Sequence, residues 1–122
     1  FAIQQAAWAT NSGGDRVGLG GAKLAPDGAT FESLTTATST SGFVMDEMMQ
    51  FPGPPGAPMM LLNPILTDWF DYDAVNHTAS AKDLLFEVRL ADGSYGKLKI
   101  LGYDTKNDPW SYRIEYAPID AP

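Results

Sequence analysis

Three alternating runs near the C-terminal end constrain the fold of this chain more than any other feature. The runs cover residues 84–90, 95–103 and 112–116, and in each of them apolar side chains recur at every second position. A period of two is typical of a β-strand, whose successive side chains point to opposite faces. Between the first two runs stand Asp92 and Gly93, and Asp-Gly is a strong signal for a tight turn. The pattern therefore predicts a three-stranded antiparallel meander.

The remaining sequence is compatible with β-structure but rich in turn-forming residues. Residues 1–10 are apolar, residues 30–40 are rich in Thr and Ser and read as extended strand or loop, and residues 42–50 suggest a short capped helix. Residues 51–58 hold four prolines, a density that predicts a stiff, irregular connection. Because the chain shows no internal repeat and no domain boundary, we expect one all-β domain over residues 1–122, an antiparallel sheet with long Gly- and Pro-rich loops.

The composition argues against several classes of function. Fifteen acidic and eight basic residues give a net charge of −7, which disfavours nucleic-acid binding and docking on an anionic membrane through a basic patch. Without cysteine there is no disulfide, no Cys-ligated metal and no thiol nucleophile. The only histidine is His77, so a metal site built from two histidines is excluded, and no Gly-x-Ser-x-Gly motif presents a catalytic serine.

An acidic cluster next to aromatic residues is one candidate for chemistry. Asp68, Asp71 and Asp73 surround Trp69, Phe70 and Tyr72. Paired carboxylates beside aromatic rings are typical of sites that cleave glycosidic bonds, and carboxylate oxygens also bind Ca²⁺. The spacing of an EF-hand is absent, however, and short acidic runs are commonly solvated turns. All three interpretations stay open.

The five methionines are the most unusual feature, because all of them fall within sixteen positions that flank the proline-rich segment. A thioether side chain fills irregular gaps, so adaptable core packing is one interpretation. Sulfur is also a soft ligand, suited to haem (heme) iron or Cu(I). An apolar loop with sulfur ligands, opposite a loop with one imidazole, has the ligands that a haem cleft requires. The methionines are Met45, Met48, Met49, Met59 and Met60.

Several motifs resemble those of HmuY-like haem-binding proteins, a family of hemophore-type lipoproteins. Residues 69–72 read Trp-Phe-Asp-Tyr, residues 76–78 read Asn-His-Thr, and residues 88–100 contain an Arg-x-Ala-Asp-Gly-x-Tyr turn before a lysine-bearing strand. Near the N-terminus, residues 10–22 contain Thr-Asn-Ser-Gly-Gly and then Gly-x-Gly-Gly-Ala. The similarity spans both ends of the chain and is weakest over residues 24–58.

The resemblance implies an all-β lipoprotein of Gram-negative bacteria, located on the outer membrane at the cell surface or secreted, and active in iron acquisition. Such a protein captures haem outside the cell and passes it to a TonB-dependent outer-membrane receptor, without catalysing a reaction. Because the chain begins at Phe1, we expect that an N-terminal piece with a signal peptide or lipid anchor has been removed.

The resemblance also implies a set of haem-binding residues. Family members hold the iron between two axial residues, either two histidines or two methionines. His77 is similar in position to the downstream ligand, and the upstream segment offers Met45 first, with Met48 and Met49 next. Basic residues such as Lys82, Arg89 or Lys97 would face the propionates. Because the macrocycle is flat and apolar, we expect Phe43, Phe51, Met59, Met60 and Phe70 to enclose its faces. Together with Met48 and Met49 they form the predicted haem-binding set.

Two other functions remain open from the sequence. One is a surface-exposed structural or interaction module of β-structure that binds no haem. The other is a carbohydrate-active enzyme that uses Asp71 and Asp73.

Overall fold

The described residues fold into antiparallel sheets and one short helix. The structure is a computed structural model and describes residues 2–4, 7–13, 18–50, 56–73, 75–76, 78–104 and 111–122. Its elements are β1 (Ala2–Gln4), β2 (Ala7–Ala9), β3 (Gly21–Leu24), β4 (Glu47–Gln50), β5 (Met59–Leu62), α1 (Pro64–Thr67), β6 (Phe70–Asp73), β7 (Thr78–Ala81), β8 (Phe86–Arg89), β9 (Tyr95–Asp104) and β10 (Ser111–Ile119).

The largest sheet has four antiparallel strands in the order β10-β9-β8-β3. Its first three strands are the predicted meander, which is confirmed. The turn between β8 and β9 closes where the Leu90 N–H donates to the Ser94 carbonyl at 2.8 Å. Gly93 adopts a φ of 89° there, a conformation that favours glycine. The predicted Asp-Gly turn is therefore present as well.

One face of this sheet forms the core of the protein. Its buried side chains alternate along the strands as the sequence pattern predicts, with Phe86 and Val88 on β8 and Leu98 and Ile100 on β9. Packed against them are buried residues from other parts of the chain. These are Trp8, Ala22, Leu66 and Trp69.

The other face of the sheet is buried but polar. Glu87 on β8 is fully buried and lies in register between Lys23 on β3 and Lys97 on β9. Its carboxylate accepts hydrogen bonds from the backbone N–H (2.8 Å) and the hydroxyl (2.7 Å) of Thr38. A buried carboxylate requires hydrogen-bond donors, and Thr38 supplies two of them to Glu87. Since Thr38 belongs to the Thr- and Ser-rich segment, these bonds also hold that segment against the sheet.

The predicted helix over residues 42–50 is wrong. Residues 47–50 form β4, which pairs with β5 so that Glu47 lies opposite Leu62. The partner strand supplies hydrogen bonds that a capped turn would have supplied locally, and tertiary pairing decides between the two. The other small sheets pair β1 with β2 and β6 with β7. Within the described residues, no helix has the length and hydropathy to cross a membrane.

Candidate functional site

Four of the five methionines lie together on one β-hairpin. We name β4 and β5 the methionine hairpin; Met48 and Met49 lie on its first strand, Met59 and Met60 on its second. Met49 is directly opposite Met60, an arrangement that places Cβ atoms about 4.5–5.5 Å apart. The sequence placed these residues on either side of the proline-rich segment, and the strand pairing brings them into contact range.

The two faces of the methionine hairpin differ in exposure. Met49 and Met60 share a face with Leu62, which is buried, and both are half-buried themselves. Met48 and Met59 lie on the opposite face and are 59% and 58% exposed. Core packing therefore does not account for Met48 and Met59, whose thioethers are accessible to a ligand.

Met45 lies just before the hairpin and also faces outward. Its neighbour Val44 pairs with Ala22 of β3 through two backbone hydrogen bonds of 2.8 and 3.0 Å. Its other neighbour, Asp46, is buried. Because successive side chains of an extended segment point to opposite sides, the burial of Asp46 directs Met45 outward. Its side chain is 43% exposed.

A buried polar cluster fixes the base of the methionine hairpin. We name it the polar anchor; its members are Thr10, Ser12, Asp46 and Asn63, all of them buried. The Asp46 carboxylate accepts hydrogen bonds from the Thr10 N–H (2.8 and 3.0 Å) and the Thr10 hydroxyl (2.7 Å). Such bonds offset the cost of burying a carboxylate. They join Thr10, which follows β2, to Asp46, which directly precedes β4.

Asn63 ties the other strand of the hairpin to the same cluster. Its side-chain N–H groups donate to the Val44 carbonyl (2.8 Å) and to Asp46 Oδ1 (3.2 Å). Its side-chain oxygen accepts from the backbone N–H groups of Ile65 and Leu66, both at 3.1 Å, and so caps α1. Pro64 occupies the first helical position, where its missing N–H costs no hydrogen bond. The hydrogen bonds of the polar anchor therefore fix both strands of the hairpin at its base.

The sequence analysis did not identify the polar anchor. One local signal was available, since Asn followed by Pro is a frequent start of a helix. The partners of Asn63 are distant in the chain, however, and no local pattern indicates that Asp46 is buried. The anchor is therefore visible only in the folded chain.

Phe43 lies against the polar face of the four-stranded sheet. Its ring centroid is 5.6 Å from that of Tyr95. The Lys23 Nζ lies 4.4 Å and the Arg89 guanidinium 5.3 Å from the same centroid, within the range of cation–π attraction. Phe43 is thus already packed between basic side chains, and its haem contact stays a prediction.

The other predicted haem-binding residues fall into two groups. Phe70 packs on Trp69 at a centroid distance of 4.9 Å, next to the core. Phe51 and His77 lie outside the described residues. The predicted approach of His77 to a methionine sulfur therefore stays a prediction. The structure therefore brings together Met48, Met49, Met59 and Met60 and packs Phe43 and Phe70 elsewhere.

The three bases expected near the propionates all contact the protein's own groups. The Lys82 ammonium lies 2.9 Å from a carboxylate oxygen of Asp68, and this hydrogen bond raises the pKa of Lys82. Arg89 donates through Nε to the Leu19 carbonyl at 2.6 Å. Lys97 is nearly buried and donates to the Phe31 carbonyl. Of these three bases, Lys82 is the one whose partner is an exposed side chain, the Asp68 carboxylate.

The acidic cluster is divided between an ion pair and an exposed strand. Asp68 pairs with Lys82, and Asp71 lies exposed on β6 opposite Ser80. Asp73 ends the same strand, but its side chain is outside the described set. Among the described residues no three His, Cys, Asp or Glu side chains converge as a metal site would require. The glycoside-cleaving interpretation stays a prediction.

Comparison with known proteins identifies the fold. No protein-family model matches the chain, and no curated protein matches it. Among solved structures, it is similar to a crystal structure from Bacteroides vulgatus of a protein provisionally named an HmuY-like heme-binding protein, with a TM-score of 0.65 and 18% identity. The similarity covers 93% of this chain and 66% of that one, so this chain spans about two thirds of its length. At this identity the likeness shows the fold alone, and the chain has an all-β HmuY-like fold.

Proposed function

We propose that this chain binds haem at the methionine hairpin and carries it outside the cell. The observation that carries the proposal is the exposure of methionine sulfur on and beside one hairpin, in a fold shared with a protein named for heme binding. Met48 and Met59 leave two soft sulfur ligands exposed on one face of the hairpin, and Met45 leaves a third exposed beside it. Large apolar side chains that are exposed close together favour a binding role.

The residues of the hairpin suit haem in their chemistry. Met45 is the proposed sulfur ligand to the iron, with Met48 and Met49 next in order, and His77 is the proposed imidazole ligand. Met59 and Met60 supply apolar, polarisable surface for the flat macrocycle. Haem bound by a thioether and an imidazole has a higher reduction potential than haem bound by two imidazoles. Apolar burial supplies most of the affinity, and axial ligation fixes the orientation.

The polar anchor has a defined part in this proposal. It holds the two chain segments at the base of the hairpin, next to Met45, through buried hydrogen bonds to Asp46. A site held in one geometry before the ligand arrives loses less entropy on binding. We propose that the chain acts as a carrier without a catalytic step, and that it passes haem to an outer-membrane receptor of the TonB-dependent class from the cell surface or the medium.

A haemin titration of the purified protein tests the proposal. We expect a sharp Soret band that saturates at one equivalent of haemin. Met45→Leu keeps the size and apolarity of the side chain but removes the sulfur, and His77→Ala removes the imidazole. Each variant should weaken haemin binding by about tenfold or more, which corresponds to ~1.4 kcal/mol.

A matched control separates ligation from general apolar attraction. Leu24 is an exposed apolar residue on β3, at the edge of the four-stranded sheet. Leu24→Ala should leave the haemin affinity unchanged. The absence of any spectral change with micromolar haemin would contradict the proposal and favour a surface module without haem. Loss of affinity in Leu24→Ala equal to that in Met45→Leu would indicate nonspecific adsorption.

A further inference from the structure

The outer edge of the four-stranded sheet is formed by β10, and no strand among the described residues pairs with that edge. The direction of its backbone groups follows from its C-terminal end. Ile119 is paired with Tyr95 of β9, whereas the N–H and C=O of the next residue, Asp120, bond to Thr35 and Ala37 on the other side. Because backbone groups alternate in direction along a strand, the N–H and C=O of Ile114 face the outer edge.

Two features limit the open part of this edge. At the C-terminal end, Pro118 has no N–H to donate, and the bridge between Thr36 and Asp120 covers the residues beyond it. At the N-terminal end the strand begins at Ser111. Within the part of the chain that the structure describes, the edge without a partner strand is therefore the outer side of residues 111–117, and its central residue is Ile114.

The sequence of the open edge is symmetric about the same residue. Residues 112–116 read Tyr-Arg-Ile-Glu-Tyr, so an aromatic and a charged residue stand on each side of Ile114, and the two charges are opposite in sign. If two such strands run antiparallel with Ile114 opposite Ile114, Arg113 of each copy lies opposite Glu115 of the other. The same register places each Tyr112 opposite a Tyr116.

We propose that β10 pairs with β10 of a second copy of this chain, antiparallel and with a two-fold axis at Ile114, to form one continuous eight-stranded sheet. The Ile114 N–H of each copy donates to the Ile114 carbonyl of the other. Arg113 and Glu115 then occupy non-hydrogen-bonded positions, where opposite side chains approach most closely. The contact uses the same surface of both copies, as a two-fold dimer requires.

The charges select this register over its alternatives. Charged side chains on an edge strand ordinarily prevent edge-to-edge association. Here Arg113 and Glu115 are both exposed. Glu115 already lies opposite Lys99 of its own chain, but across the two copies Arg113 meets Glu115 only when the axis is at Ile114. The other registers that keep the same backbone direction place the axis at Tyr112 or Tyr116, and in both of them Arg113 no longer lies opposite Glu115. Ile114 and Tyr116, which are 37% and 38% exposed, become less exposed on pairing.

Sedimentation analysis of charge-reversal variants tests the pairing. We expect the wild-type chain to form a dimer whose dissociation constant rises at least tenfold in Arg113→Glu and in Glu115→Arg, since each variant places like charges in opposition. The double variant with both changes restores opposite charges in the same register and should regain dimerisation. A wild-type chain that remains monomeric at millimolar concentration, or a double variant no better than the single ones, would overturn the proposal.

Disulfide trapping provides a second measurement that does not depend on charge. The chain has no cysteine, so Ile114→Cys introduces a single thiol at the proposed axis. Directly opposite residues in a sheet lie within the Cα distance that a disulfide spans. Mild oxidation should link Ile114→Cys into a covalent dimer and leave Leu24→Cys, a control on the opposite edge strand β3, largely monomeric. Equal linking of the two variants, with both still folded by circular dichroism, would reject the proposed interface.

Discussion

Replacing Asn63 by Asp isolates the contribution of the polar anchor from that of the helix cap. The side-chain oxygen that caps α1 is retained, and Asn and Asp are equally good N-caps. The side-chain N–H groups are lost, and with them the hydrogen bonds to the Val44 carbonyl at 2.8 Å and to Asp46 Oδ1 at 3.2 Å. An ionised carboxyl group has no proton to donate, and taking up a proton there at neutral pH would itself cost free energy. The substitution therefore affects the anchor alone.

The expected loss follows from these two hydrogen bonds. A bond to a neutral carbonyl contributes about 1 kcal/mol and one to a carboxylate about 1.5–3 kcal/mol. Repulsion between two buried carboxylates adds to this loss. We therefore expect Asn63→Asp to lower the free energy of unfolding by about 3–5 kcal/mol, a large part of the stability of a domain of this size.

Urea unfolding followed by tryptophan fluorescence measures this loss, because Trp8 and Trp69 are both buried. Gln50→Glu is the matched control. It makes the same change from amide to carboxylate on the methionine hairpin, but Gln50 is exposed, and its side-chain N–H donates to the Ala57 carbonyl at 3.2 Å. The control should change stability by less than about 0.5 kcal/mol. If Asn63→Asp lowered the free energy of unfolding by less than about 1 kcal/mol, the hydrogen bonds of the polar anchor would not have the strength inferred for them.

Three further predictions concern the four-stranded sheet. A Cβ added at Gly96 would lie 2.6 Å from the Tyr116 ring, so Gly96→Ala should lower the free energy of unfolding by about 1–3 kcal/mol; an unchanged urea midpoint would contradict this. The hydrogen bond between Asp83 and Lys99 lowers the pKa of Asp83 and raises that of Lys99. The pair therefore stabilises the folded state at pH 7. This stabilisation is lost as the pH falls well below 3.8 and also as it rises well above 10.5. Asp83→Asn should lower the urea midpoint slightly at pH 7 and at neither extreme; an equal decrease at all three pH values would contradict the linkage. Burial, and then the charge of Asp92, raises the pKa of Tyr116, so Asp92→Asn should lower the pKa of Tyr116 in an absorbance titration, and no change would exclude that charge as a cause.

The sequence was sufficient to predict the meander because its signals are local. Alternation along β8 and β9 determines which side chains are buried, and the turn between them needs only Asp92 and Gly93. The outcome agrees with the pattern at Leu98 and Ile100, which are buried. The strand β4 could not be predicted in this way, since its partner β5 follows only after the proline-rich segment and the pairing is not local.

The candidate site could be predicted in part. The sequence shows that the methionines are close together along the chain, and the pairing of β4 with β5 places four of them on one hairpin, Met48, Met49, Met59 and Met60. Their role as haem-binding residues stays a prediction. The position of Phe43 could not be predicted, because its neighbours Lys23 and Arg89 come from two distant strands. Aromatic residues in a sequence carry no signal that distinguishes a ligand contact from packing against the protein itself.

The most direct test of the proposed function is to identify the atoms bound to iron in the haem-loaded protein. Iron X-ray absorption spectroscopy distinguishes a sulfur ligand from nitrogen or oxygen ligands. We predict one sulfur ligand in the wild-type complex and none in Met45→Leu. An iron site with only nitrogen and oxygen ligands in the wild-type complex would contradict thioether ligation by this chain.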